Sequence, residues 1–274
     1  VVGVDVGEDF LDLAVLRIAS LELEHHRIAL GGIEEDALGT LRQLLRASWP
    51  NADAGWLVLI DSPRWPRDLD CSRGSVAARD PIPTSRALDR ALRERLRASA
   101  QHSAIRLSMF PTLTLAYFEQ CAARSDCKPH LRSIYRWLFE TEPNPQGPSE
   151  QIAATAGRIA GGTFTRFMLA GFLTFRAWDA VGVQALEAYP ELQYRLCGGD
   201  RIASKREGTA AVLRTRVETI QQLRHTLAIV PSPLPATIDQ ADAEILALSA
   251  LRAAERGSLA ALEHPAEGRF LLTF

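Results

Sequence analysis

The chain has 274 residues, 47% hydrophobic and 23% charged, an ordinary globular composition with enough length for one large domain or two small ones. A net charge of -2 and a pI near 6.4 exclude a global field that would draw nucleic acid or membrane. The four cysteines, Cys71, Cys121, Cys127 and Cys197, lack CxxC spacing, so neither a zinc site nor a disulfide framework is indicated, and cytoplasmic thiols are expected.

Residues 1–7, VVGVDVG, alternate: Val2, Val4 and Val6 point to one face, Gly3, Asp5 and Gly7 to the other. The small glycines should leave the Asp5 face uncrowded. LDLAVLRI (11–18) and LELEHHRIAL (21–30) continue as two more strands, and the short turns between the three predict an antiparallel meander. EEDALGTLRQLLRASW (34–49) carries acids first and arginines last, as a helix dipole prefers. GWLVLIDSP (55–63) is a short apolar run stopped by Pro63, expected to be a buried central strand with Asp61 at its carboxyl end.

Beyond residue 64 the periodicity turns helical, over 85–100, 113–124 and 130–140, with a Pro- and Asn-bearing loop at 141–150. FTRFMLAGFLTFRAW (164–178) is apolar but interrupted by Arg166 and Arg176. It is shorter than the roughly 20 residues a span requires, so a buried helix is expected and no membrane partner. Residues 180–191 read as a strand with Glu187 in its last third, followed by a helical stretch that carries Lys205 and reaches about 226. After the stop signal PSPLPAT, residues 238–257 predict a strong helix with Asp239 at its start, and RFLLTF closes as a strand or tail. The order predicts one α/β domain over 1–274: a mixed sheet, three antiparallel strands and then parallel ones, with a helical insertion at 64–178.

Carboxylates mark the ends of separated elements: Asp5, Asp61, Glu187 and the pair Asp239 and Asp242, which share a helix face at a spacing of three. If these ends converge, the like charges repel and resist ionisation, and a divalent cation relieves them. Mg²⁺ or Mn²⁺ suits oxygen donors. Asp5, Asp61, Asp239 and Asp242 are therefore the candidate metal ligands. Each has a plainer alternative: Asp5 accepting from the glycine turn, Asp61 forming a turn before Pro63, Asp239 capping its helix, and Glu187 pairing with an arginine.

The motifs VGVDVG, LIDSP, LEAYPE, DQADA and the terminal EGRFLL stand in the order found in the nuclease family known as domain of unknown function 429, which this chain resembles over about 1–75 and 180–274. The resemblance implies a ribonuclease H-like fold, shared with ribonuclease H, Holliday-junction resolvases and retroviral integrases, and metal-dependent phosphodiester hydrolysis by two Mg²⁺ or Mn²⁺ ions. It matches Asp5, Asp61 before Ser62-Pro63, Glu187 before Tyr189-Pro190, Lys205, and Asp239 with Asp242 to the family's motif positions. Glu187 would then be a fourth ligand or general base, and Lys205 would support developing phosphate charge. Asp70-Cys71-Ser72-Arg73 matches only loosely, and Glu244 breaks the apolar run expected after Asp242-Ala243.

Nucleic acid, DNA or RNA, is the implied partner. The stretch 64–106 holds ten arginines against five acids, which could contact phosphates or simply form a solvated helix face. Two other functions fit the residues. A non-catalytic binding protein could keep the fold, and VDVGEDFLDLAVL is similar to the phosphate loop of actin and sugar-kinase-like ATP-binding proteins.

Overall fold

A computed structural model describes residues 1–33, 37–48, 55–64, 87–103, 105, 118, 121–139, 163–183, 185–198, 208–264 and 268–273. The architecture is α/β, built on one mixed sheet of seven strands. In chain order the elements are β1 (Val2–Val6), β2 (Phe10–Arg17), β3 (Glu22–Ala29), α1 (Ala37–Ser48) and β4 (Val58–Asp61). Next come α2 (Ala87–Ala98), α3 (Pro129–Phe139), α4 (Thr163–Asp179), β5 (Ala185–Glu187) and α5 (Pro190–Gly198). The chain continues with α6 (Thr209–Thr226), α7 (Ile238–Glu255), β6 (Ala260–His264) and β7 (Gly268–Leu272). No helix among the described residues is long and apolar enough to cross a membrane.

The strand order is β3-β2-β1-β4-β5-β7-β6. The first three strands form the expected antiparallel meander, with β1 beside β2 and β2 beside β3. β4 then adds parallel to β1, β5 parallel to β4, and β7 parallel to β5. One feature was not anticipated. The carboxyl end is a hairpin in which β6 pairs antiparallel with β7. The chain also leaves β5 sooner than expected, because Pro190 opens α5 and does not close the strand. Proline suits a first helical turn, where its missing N–H has no partner to lose.

Helices cover both faces of the sheet. Val2, Val4 and Val6 of β1 join Val58 and Ile60 of β4 in a core with Leu41 and Leu45 of α1, Leu131 and Ile134 of α3, and Phe172 of α4. Tyr135 and Trp137 pack against the same core. On the other face Leu59 and Ala14 meet α7, with Tyr194 of α5 and Ile220 and Leu223 of α6 behind it. On α7, Ile245, Leu246, Leu248 and Leu251 are buried, and so are Ala241, Ala243, Ala247 and Ala250 on the remaining faces. α7 is enclosed by the sheet in front and by α5 and α6 behind, so it carries almost no polar surface.

Burial all round forces Asp242 and Glu244 of α7 to find cations. Glu244, wholly buried, is held by Arg224 through Nε–Oε1 at 2.5 Å and a second bond to Oε2 at 2.8 Å. Arg224 also donates to the carbonyls of Ser232 and Pro233, tying the α6–α7 connection to α7 itself. His25 of β3 stands with Nε2 3.0 Å from Glu244 Oε2.

Candidate metal centre

β1 and β4 run parallel in a register that sets Asp5 directly beside Asp61, each on the face turned to α7. The third carboxylate arrives because α7 comes unusually close. A Cβ added to Gly3 would lie 1.9 Å from the Ala243 carbonyl oxygen and 3.0 Å from the Ala247 amide. The glycine therefore does not leave open space, as the sequence suggested; helix backbone fills the space a side chain would need. With Ala243 seated on Gly3, Asp242 lands on the Asp5 side. Oxygen atoms of Asp5, Asp61 and Asp242 all lie within 4.8 Å of one another. They form the one group of metal-type donors among the described residues that meets this spacing.

Asp239 stands one helical turn before Asp242, half-buried, and its charge bears on both Asp5 and Asp12. It is not the helix cap. Thr237 caps α7, its hydroxyl accepting from the Gln240 amide at 3.1 Å, and Gln240 Oε1 accepts from the Ala236 amide at 2.9 Å. These two bonds tie down the helix start, so Asp239 is not needed as its cap. The glycine turn likewise makes no claim on Asp5 through Gly7, whose amide donates to the Phe10 carbonyl at 2.9 Å.

The electrostatics follow from the crowding. Burial, and then the charges of Asp242, Asp61, Asp239 and Asp12, hold the Asp5 carboxyl well above the ordinary carboxylate range. At about 4 Å in a medium of effective dielectric near 20, two ionised carboxylates repel by roughly 4 kcal/mol. Two arginines offset part of this. Arg216, wholly buried on α6, pairs through Nη1 with Asp242 Oδ1 and lies 4.9 Å from the ring centre of Tyr194. Arg27 grips Asp12 with two bonds, 3.0 and 2.8 Å, while its guanidinium rests on Phe10. Burial still raises the Asp12 carboxyl despite that pairing.

Asp12 escaped the sequence reading. It faces Asp5 across the β1–β2 hairpin, in register. Counting back from the Gly7–Phe10 turn would have found it. Arg216 has no such local signal, since its partner lies 26 residues away.

Glu187 is not brought into the group. It is in register with Ile60, on the face opposite Asp61, and accepts from the Arg64 backbone amide at 2.6 Å. Arg64 also reaches Asp179 at 2.6 Å and the Ala185 carbonyl at 3.3 Å. From the same side α4 clamps Ser62, whose Oγ would stand 1.9 Å from a Cβ on Gly171. Glu187 thus fixes the chain just after Asp61 and does not reach the three aspartates. Lys205 lies outside the described residues, as does most of the arginine-rich stretch, 65–86 and 106. Of its described arginines, Arg90, Arg95 and Arg97 lie on the exposed face of α2, opposite Leu88, Leu92 and Leu96.

The donors are all carboxylate oxygens, the set preferred by Mg²⁺ and Mn²⁺ and unlike the nitrogen and sulfur sets of zinc. Among the described residues, Arg27 and Arg216 are paired with Asp12 and Asp242 beside this group. The donor set fits a hard divalent cation. Comparisons with protein-family models, with curated proteins and with solved structures each returned no match.

Proposed function

We propose that this protein is a divalent-metal-dependent hydrolase of phosphodiester bonds, of ribonuclease H-like fold, acting on nucleic acid. The observation that carries the reading is the approach of Asp5, Asp61 and Asp242 within 4.8 Å from three separate elements. The strand order adds support, since an antiparallel meander followed by parallel strands is what the family resemblance implies.

Asp5, Asp61 and Asp242 would hold the cation, with Asp239 completing the set toward a second one. When bound, paired Mg²⁺ or Mn²⁺ ions stabilise the attacking and leaving oxygens of an in-line phosphoryl displacement. The chain's own part is to fix these oxygens before substrate arrives. Gly3 sets the depth of α7, Arg216 orients Asp242, and Glu187 and Gly171 hold the segment that follows Asp61. Glu187 acts here as a positioning residue through Arg64, while Lys205 keeps the role implied by its motif.

One observation favours a non-catalytic protein that keeps the fold. Arg216 neutralises Asp242 from within the protein. An ATP-binding phosphate loop is disfavoured, because the Gly7 amide is already engaged by the Phe10 carbonyl.

The test is incubation of the purified protein with single- and double-stranded DNA and RNA in Mn²⁺. Cleavage that Asp5→Asn abolishes supports the hydrolase. Cleavage that survives Asp5→Asn removes this site from the account, and no cleavage by a protein that does bind Mn²⁺ favours the non-catalytic reading.

A further inference from the structure

A pair of thiols lies in the helical core on the other face of the sheet, apart from the aspartates. Cys121 sits in a helical turn and Cys127 two residues ahead of α3; both are buried and neither is in a disulfide. The segment between them, AARSD, folds back through two successive turns. The Arg124 amide donates to the Cys121 carbonyl at 3.3 Å, and the Cys127 amide to the Arg124 carbonyl at 3.2 Å. Arg132 staples the fold by donating to the carbonyls of Ala122, Arg124 and Cys127 at 3.1, 3.0 and 3.4 Å. The turn-back sets both side chains in the same buried core, where the two thiols lie close enough to interact.

The surroundings favour a thiolate at one of the two positions. Arg132 and Arg166 face Cys127, and Arg124 and Arg166 face Cys121, with Asp126 the opposing charge. Arg166 Nε is buried and has no acceptor among the described residues, although Arg166 pairs through Nη2 with Asp126 at 2.9 Å. Interaction with the Cys121 thiol lowers the Cys127 thiol to about 7, while the same interaction and burial push Cys121 up. When Cys127 is protonated, its sulfur instead donates to the Lys128 carbonyl at 3.7 Å. Among the described residues the pair has no third donor for a metal. His130 Nε2 is engaged with the Glu8 carbonyl at 2.7 Å, and neither cysteine belongs to a metal-type group among the described residues.

We infer that Cys121 and Cys127 form a dithiol pair that a small hydroperoxide oxidises to an intramolecular disulfide. The Cys127 thiolate attacks a peroxide oxygen. The S–O bond forms as the O–O bond breaks, and the departing oxygen takes a proton and leaves as water or an alcohol. The Cys121 sulfur then attacks the sulfenic sulfur, its thiol proton joins the expelled hydroxide as water, and the S–S bond closes. Two thiols lose two electrons in all and the peroxide gains them. Burial of both sulfurs limits the reaction to oxidants as small as hydrogen peroxide. The device would be coupled to the turn after Asp5, because Lys128, next to Cys127, pairs with both Glu8 and Asp9.

The dithiol chemistry is independent of any hydrolase activity and is tested without metal. Reduced full-length protein is treated with hydrogen peroxide at pH 7, its remaining thiols are blocked, and it is digested with trypsin. Cleavage after Arg124 separates the two cysteines, so a disulfide appears as a linked pair of peptides by mass spectrometry. The expected product links Cys121 to Cys127 at roughly tenfold the level of any pairing with Cys71 or Cys197, and a dithiol reductant reverses it. In Cys121→Ala the reaction should stop at a sulfenic acid on Cys127 that dimedone captures. Should that variant not fold, the wild-type peptide map decides alone. A map without the linked pair, or with Cys71 or Cys197 oxidised as readily, overturns the inference.

Discussion

Gly3 lies directly beneath Ala243, so close that a Cβ on the glycine would stand 1.9 Å from the alanine's carbonyl oxygen. This contact between the first strand and the last long helix sets where the aspartates of α7 fall. Gly3→Ala should therefore push α7 off the sheet. We expect a loss of about 1–3 kcal/mol in chemical denaturation, the range for overpacking. The thermal stabilisation by Mn²⁺ should shrink as well, because Asp242 moves from Asp5.

Asp5→Asn should make the metal-free protein more stable, by on the order of 1 kcal/mol. The substitution keeps the shape and removes one of several crowded charges. Urea unfolding in a chelator checks it. A loss of stability would mean that the Asp5 carboxylate is satisfied by partners in the protein and needs no cation.

The same crowding fixes a pH dependence. The Asp5 carboxyl is raised in the folded protein, so the folded state keeps a proton that the unfolded chain has already released. Its contribution is fully present below the ordinary Asp value, about 3.9, and is lost as pH rises through the raised folded value. Metal-free wild type should accordingly lose stability over that window relative to Asp5→Asn, measured by thermal melts across pH. In saturating Mn²⁺ this difference should narrow.

Arg216→Leu should destabilise by about 3–5 kcal/mol, because it strands the buried Asp242 carboxylate without a partner. The double variant Arg216→Leu with Asp242→Leu should recover most of that loss, since a buried pair replaced by apolar groups is often tolerated. Thermal denaturation of the three variants gives the answer. Additive losses in the double variant would show that the two side chains act separately.

Thr237→Ala should cost about 1 kcal/mol by removing the α7 cap. Asp239→Asn should cost little, because the helix start does not depend on it. Comparable losses at the two positions would return Asp239 to a capping role.

How far the site could be read in the sequence depends on the range of the signal. Asp5 and Asp61 were legible because each interrupts or ends an apolar strand of local pattern, and parallel pairing then sets them side by side. Asp242 was legible from helix spacing; Asp239, one turn earlier, has the look of a cap in sequence, but Thr237 fills that place. Glu187 carries the same kind of signal and is turned to the other face, because a carboxylate at a strand end does not reveal which face it takes. Arg216 and Arg224 look like surface arginines in sequence. Their burial follows only from α6 packing behind α7. β6 was missed because its pairing with β7 depends on a connection that no local pattern announces.

Isothermal titration of the metal-free protein with Mn²⁺ tests the central claim most directly. Saturable binding in wild type, lost in both Asp5→Asn and Asp61→Asn while the fold stays intact by circular dichroism, is the result predicted. Wild-type protein that takes up no Mn²⁺, or variants that bind it equally well, would contradict it.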